Sequence, residues 1–231
     1  MTRPARVLLL VGGLLALAGC SDPVPRTVSV RADSTAVPAV LVVAAGLEAV
    51  SPGLTVDVDT AGTADVYVLD AARFAGLDTD GQAVALVRSG LVVVGPPGTV
   101  PAPTLASALA AARTIAIAEG DASGRLARTA LEASGAWDGV AARLVRFGST
   151  QAALDSVASR SVDLAFALAS DALGSTPYAV VYRLTDDEAP PAVLAGALRR
   201  GAPPEARALL DSLAAPTAYR AWAAAGFRPP R

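Results

Sequence analysis

Short apolar runs alternate with Ala-rich stretches of helical spacing through most of this chain. Residues 54–59 place Leu, Val and Val at every second position, with Thr and Asp between them, which is the period of a half-buried strand. Further strands are predicted at 28–31, 65–69, 82–88, 91–95, 114–118, 144–147, 164–168 and 178–183. Helices are predicted over 36–50, 105–112, 124–134, 150–159, 204–214 and 217–225, with another helix start at Ser170-Asp171. The first helix stops at Ser51-Pro52-Gly53, and one of the last has proline in its first turn, where the missing N–H costs nothing. The clearest break runs from Pro96-Pro97-Gly98 to Pro103, and a second loop joins acidic 186–188 to Pro190-Pro191. Strands that alternate with helices argue for βαβ units and an α/β fold. There is no short-period repeat and no low-complexity tail.

The first twenty residues follow a different pattern. Arg3 and Arg6 form a positive n-region, residues 7–18 form an apolar stretch too short to span a bilayer, and Leu17-Ala18-Gly19 precedes Cys20. This is the arrangement of a bacterial lipoprotein signal, so residues 1–19 read as a signal peptide. Cleavage before Cys20 and lipidation of its thiol are the expectation, with residues 20–26 as a tether. Several acyl chains anchor a protein stably where one does not.

Composition removes many chemistries. The chain has 231 residues, of which 53% are hydrophobic and 17% charged. All 19 basic residues are arginine, and there is no histidine and one cysteine. Histidine-dependent triads and dyads, a Walker A lysine, a Schiff-base amine and His/Cys zinc sites are therefore absent. Loss of Arg3 and Arg6 with the signal takes the formal charge from −2 to −4, which offers no footprint for nucleic acid. Serine hydrolysis through Ser123 or Ser170 would need Asp or Glu as its base. Asp57, Asp59 and Asp65 have the spacing of a solvated strand face rather than of metal ligands. No enzyme, cofactor or metal is expected.

The second half carries a recognisable set of short sequences. They are Ala116-Ile117-Ala118, Gly124-Arg125, Ala130-Leu131-Glu132, Gly135-Ala136-Trp137-Asp138, Leu144-Val145, Gln151-Ala152-Ala153-Leu154 and Ala169-Ser170-Asp171-Ala172. With Ala221-Trp222 and Gly226-Phe227 near the end, and Ala64-Asp65-Val66-Tyr67-Val68 and Leu91-Val92-Val93-Val94 earlier, the mature chain resembles the bacterial molybdate-binding proteins, solute receptors of ABC importers. The resemblance implies a two-lobe periplasmic-binding-protein architecture of type II, with a ligand cleft between lobes. Lobe 1 would take 27–96 plus 178–231, and lobe 2 would take 97–177. It also implies an exported, lipid-anchored monomer that binds molybdate or tungstate and meets an ABC permease.

Helix N-termini bind oxyanions through free N–H groups and the helix dipole, and hydroxyls add donors. Ser34 matches the family's first-lobe serine, Ser123 (with Gly124 beside it) matches a position whose backbone faces the anion, and Thr150 matches a second-lobe donor. These hydroxyls also have the ordinary role of N-caps. Residues 59–64 replace a serine-rich loop and helix of the family, leaving Thr60 or Thr63 as substitute donors, with Thr63 the assigned one. Leu168 stands where the family has a tyrosine, and Asp33 sits beside Ser34. Arg125 either reaches the anion or faces solvent or an acid. The second reading is a receptor-fold lipoprotein that has lost oxyanion binding and serves as a sensor or interaction module.

Overall fold

The computed structural model describes residues 24–172 and 177–230; the signal peptide, Cys20 and the start of the tether lie outside the described residues. In chain order the first half holds β1 (Arg26–Ala32), α1 (Val37–Val50), β2 (Leu54–Asp59), β3 (Val66–Asp70), β4 (Val84–Ser89) and β5 (Leu91–Gly95). Then come α2 (Leu105–Ala110), β6 (Ile115–Ala118), α3 (Ala122–Ala133), α4 (Trp137–Val140), β7 (Leu144–Phe147) and α5 (Thr150–Ala158). The remainder is β8 (Leu164–Leu168), α6 (Ala169–Ala172), β9 (Ala179–Arg183), β10 (Ala192–Leu198), α7 (Pro204–Ala214) and α8 (Tyr219–Ala224).

The strands form two five-stranded sheets of matching plan. One has the order β2-β1-β3-β10-β4 and the other β7-β6-β8-β5-β9. In the first, β1 pairs in parallel with β2 and β3, and β10 runs antiparallel between β3 and β4. In the second, β6 pairs in parallel with β7 and β8, and β5 runs antiparallel between β8 and β9. The architecture is the α/β, two-lobe one that the sequence predicts.

Two features differ from the sequence expectation. The sequence pattern assigns no strand at β10, yet it is an interior strand of the first sheet. Its sequence, AVLAGAL, is rich in alanine and contains glycine, so it carries a weak strand signal. Its stability comes from pairing on both edges and from burial. Gly196 lets Leu210 pack close, since a Cβ there would come within 2.5 Å of Leu210 Cδ1 and make that side chain shift. The second difference concerns β5 and β9, which the expected boundaries assign to lobe 1 and which pair within the second sheet. The chain passes between sheets at Gly90 and again between β9 and β10.

Those crossings are tied together. Asp186, in the second crossing, pairs with Arg88 at 2.8 Å and with Arg228 at 3.1 Å, while Arg88 and Arg228 form a backbone bridge. The core of the first sheet gathers Val28, Val30, Val66, Val68 and Leu86 against α1, α7 and α8. Trp222 is 1% exposed there, meets the Phe227 ring edge-on at 5.6 Å and donates its indole N–H to the Leu213 carbonyl at 3.0 Å. The second sheet is buried on both faces. Leu91, Val93, Ile115 and Phe166 pack beneath α2 and α3, while Val92, Val94, Ala116 and Ala165 pack beneath α5. Such two-sided burial explains why these strands read as continuous apolar runs.

One close contact fixes the helix that borders the space between the sheets. Gly124, in the first turn of α3, lies so near β6 that a Cβ would stand 1.6 Å from the Ala118 carbonyl oxygen. Relief would require moving the helix or the strand, both of which are buried. Gly124→Ala is expected to cost at least about 3 kcal/mol and to lower Tm by roughly 10 °C. A thermal melt within 2 °C of the parent, as a rough margin, would show that α3 is free to shift.

Candidate functional site

The βα turns of both sheets converge on one cleft of about 710 Å³. From the first sheet come Ala32 to Thr35 after β1, Thr60 after β2, and Asp70 and Arg73 after β3. From the second come Gly120 to Ser123 and Arg125 after β6, Ser149 to Gln151 after β7, and Leu168, Ser170 and Asp171 after β8. Every one of these strands delivers its carboxyl end to the cleft. Open α/β sheets bind ligands at that edge, because helix N-termini and their free N–H groups start there.

The residues expected from sequence divide. Ser34, Ser123 and Thr150 line the cleft. Ser34 is exposed and does not cap α1, whose N-cap is Ala36 with no side-chain hydrogen bond. Ser123 stands within the first turn of α3 rather than ahead of it, and its Oγ lies 2.7 Å from Thr150 Oγ1 in a buried contact between helices. Ser149 is the N-cap of α5, accepting the Ala152 N–H at 3.2 Å. Gly124 does not line the cleft; it is the packing glycine beneath α3. Thr63 does not line it either: it is exposed on the turn before β3, and Thr60 is the residue of that segment at the cleft.

Four carboxylates in the cleft have no place in the expected donor set. Asp33 accepts the Asp70 N–H at 2.7 Å and pairs with Arg73. Asp70 accepts the Ala72 N–H at 2.8 Å and reaches across the cleft to Arg125 at 3.0 Å. Arg125 thus faces an acid, and the pair ties the two lobes together. Asp121 is the N-cap of α3 but does not cap it. Its Oδ2 instead accepts the Thr150 N–H at 2.7 Å and the Thr150 hydroxyl at 3.1 Å. Asp171 accepts the Leu168 N–H at 3.2 Å. Among the described residues neither Asp121 nor Asp171 has a cationic partner in an ion pair. The sequence reads Ser170-Asp171 as a helix start and opens the α3 helix at Ser123-Gly124 without using Asp121, and nothing local marks the two carboxylates as facing one cleft.

Burial decides the electrostatics. Desolvation pushes the Asp171 carboxyl up to about 6, the nearby Asp121 and Asp33 charges push the same way, and the Leu168 N–H opposes them. Desolvation also raises Asp33, against the Asp70 N–H and the Arg73 guanidinium. Ser170 is 7% exposed and its Oγ has no hydrogen-bond partner among the described residues, while its N–H donates to Ser89 Oγ at 3.0 Å. No three acidic side chains among the described residues converge closely enough to hold a metal ion. A separate apolar groove of about 680 Å³ between α1 and α8 is lined by Val42, Val43, Leu47 and Ala221, with Arg220 as its one charge.

Two lobes with crossed connections and a strand-end cleft define a solute receptor of the type II periplasmic-binding fold. Residues 31–228 match the bacterial extracellular solute-binding proteins, and the chain belongs to that family. Its members bind solutes and are not enzymes. No curated protein matches the chain by sequence. Among solved structures, the chain is similar to a substrate-binding domain ascribed to a molybdenum ABC transporter of Clostridium difficile. That likeness has a TM-score of 0.71 and 14% identity, covering 89% of this chain and 99% of the other. It is also similar to the periplasmic molybdate-binding protein of Azotobacter vinelandii, with a TM-score of 0.70, 16% identity and coverage of 88% and 100%. A third similar structure is PEB3 bound to L-phospholactate, with a TM-score of 0.73, 13% identity and coverage of 88% and 100%. At these identities the likeness establishes the fold.

The raised Asp171 carboxyl makes a stability prediction with a definite sign. The native state holds the proton to a higher pH than the unfolded chain, so stability falls as pH rises from about 4 through 6. Asp171→Asn keeps an acceptor for the Leu168 N–H and removes the buried charge. It is expected to stabilise the protein by about 1–3 kcal/mol at pH 7.5 and by little at pH 4. Urea unfolding at the two pH values checks this, and an equal gain at both would show that burial of charge is not the cause.

Proposed function

We propose that this chain is the receptor component of an ABC importer, lipid-anchored through Cys20 at the outer face of the membrane and carrying a small solute in the inter-lobe cleft. The observation that carries this reading is the meeting of the carboxyl ends of six strands, three from each lobe, at a cleft of about 710 Å³. That volume lies within the range of small-molecule sites. The paired crossings beside Gly90 and Asp186 supply a short hinge, and hinge closure around solute is the signal a permease reads. Among the described residues no helix is long and apolar enough to cross a membrane, and the proposed attachment is the lipid on Cys20.

Molybdate or tungstate is the solute drawn from the resemblance. The names of two compared proteins support it, as does the presence of Ser34, Ser123 and Thr150 in the cleft. The Asp121 carboxylate weighs against it, because it already accepts the Thr150 N–H that would meet an oxyanion. A dianion would also stand beside Asp121 and Asp171 with no cation paired to either. At an effective dielectric near 20, like unit charges about 4 Å apart repel by about 4 kcal/mol. This same observation favours the second reading, a receptor-fold lipoprotein that senses or binds a partner without taking up an oxyanion.

Calorimetric titration of the purified protein with molybdate, tungstate, sulfate, phosphate and cationic solutes, with small-angle scattering as a second readout, separates these readings. Binding of one solute in the micromolar range or tighter, with compaction, is the expected result. A folded protein that binds none of them, and whose loss leaves solute uptake unchanged, points to the interaction module. Cys20→Ala is expected to move the protein from the membrane to the soluble fraction, and retention on the membrane would overturn the anchor.

A further inference from the structure

The cleft holds more negative charge than its cations neutralise, and the excess is localised. Arg73 and Arg125 are paired with Asp33 and Asp70. The remaining carboxylates, Asp121 and Asp171, follow β6 and β8, which are neighbours in the second sheet, so both stand on the same side of the cleft. Each uses only Oδ2 in its hydrogen bonds, leaving Oδ1 without a donor among the described residues. Next to Asp171 in the chain is Ser170, a cleft residue whose buried Oγ has no partner among the described residues. A buried polar atom left unpaired is costly, and in a receptor cleft the missing partner is supplied by the solute.

We infer that the cleft takes a solute with a protonated amine or guanidinium group, held by Asp121 and Asp171 with the Ser170 hydroxyl. This rests on the receptor reading above and names its solute class. The three open acceptors, Asp121 Oδ1, Asp171 Oδ1 and Ser170 Oγ, match the several N–H donors of such a group. Charge-assisted bonds of this kind are the strong ones. The anion position at the start of α5 is filled from within the chain, since Asp121 accepts both the N–H and the hydroxyl of Thr150. The chain thereby converts an oxyanion cradle into an anionic wall. A bare metal ion does not fit the arrangement, because no three acidic groups among the described residues converge on one point. The cleft is instead large enough for an organic molecule, and Leu168 offers apolar contact for a methylene stem.

The test is calorimetric titration of the purified protein with L-arginine, L-lysine, putrescine and spermidine, alongside molybdate, tungstate and calcium chloride. At least one organic cation is expected to bind. Asp121→Asn and Asp171→Asn are each expected to weaken that binding tenfold or more, and Ser170→Ala several-fold. Circular dichroism and a thermal melt confirm that each variant is folded. Binding of molybdate or tungstate alone overturns the inference and leaves the receptor reading standing. Binding of calcium alone, of none of the probes, or of an organic cation with the same affinity in both Asn variants overturns it as well.

Discussion

Each sheet of this protein is completed by a strand that crosses over from the other sheet, and the rest of the structure depends on that exchange. The strand β5 enters the second sheet directly from β4 of the first, and β10 returns to the first directly after β9 of the second. Asp186 fastens both crossings to the C-terminal segment through Arg88 and Arg228. The cleft floor hangs from the same place, since Ala169 donates its N–H to the Gly90 carbonyl and Ser170 donates to Ser89. Ser170 and Asp171 are thereby held beside the first crossing, one link through backbone and one through the Ser89 hydroxyl.

The cleft is a helix-terminus site whose charge has been reversed. Parallel strands followed by helices bring partial positive charge to the strand ends, which suits anions. Here four carboxylates meet that edge, and two of them are matched by arginine. Asp121 is the pivotal one, because it abandons the N-terminus of its own helix to accept from the helix opposite. The Arg125–Asp70 pair crosses between lobes, so an ion pair ties the two walls of the cleft together.

Much of the fold was legible in the sequence. The alternation in β2, the apolar runs of β5 and β8 and the proline at the start of α7 follow from local physics. The strand β10 was not legible, because AVLAGAL has weak strand propensity and is held by its neighbours on both sides. The hydroxyl residues Ser34, Ser123 and Thr150 line the cleft. Gly124 and Thr63 do not, since one is taken up by packing against β6 and the other sits on an exposed turn away from the strand ends.

What the sequence determined by itself was what has a short period: the type of most elements, the α/β class, and the chemistry excluded by absent histidine and lysine. Tertiary structure decided the charge of the cleft. Asp121 meets Thr150 and Asp70 meets Arg125 only because separate βα units deliver their strand ends to one edge. The reason is physical: periodicity is written in neighbouring residues, whereas the field at a site sums groups that only the folded chain brings together.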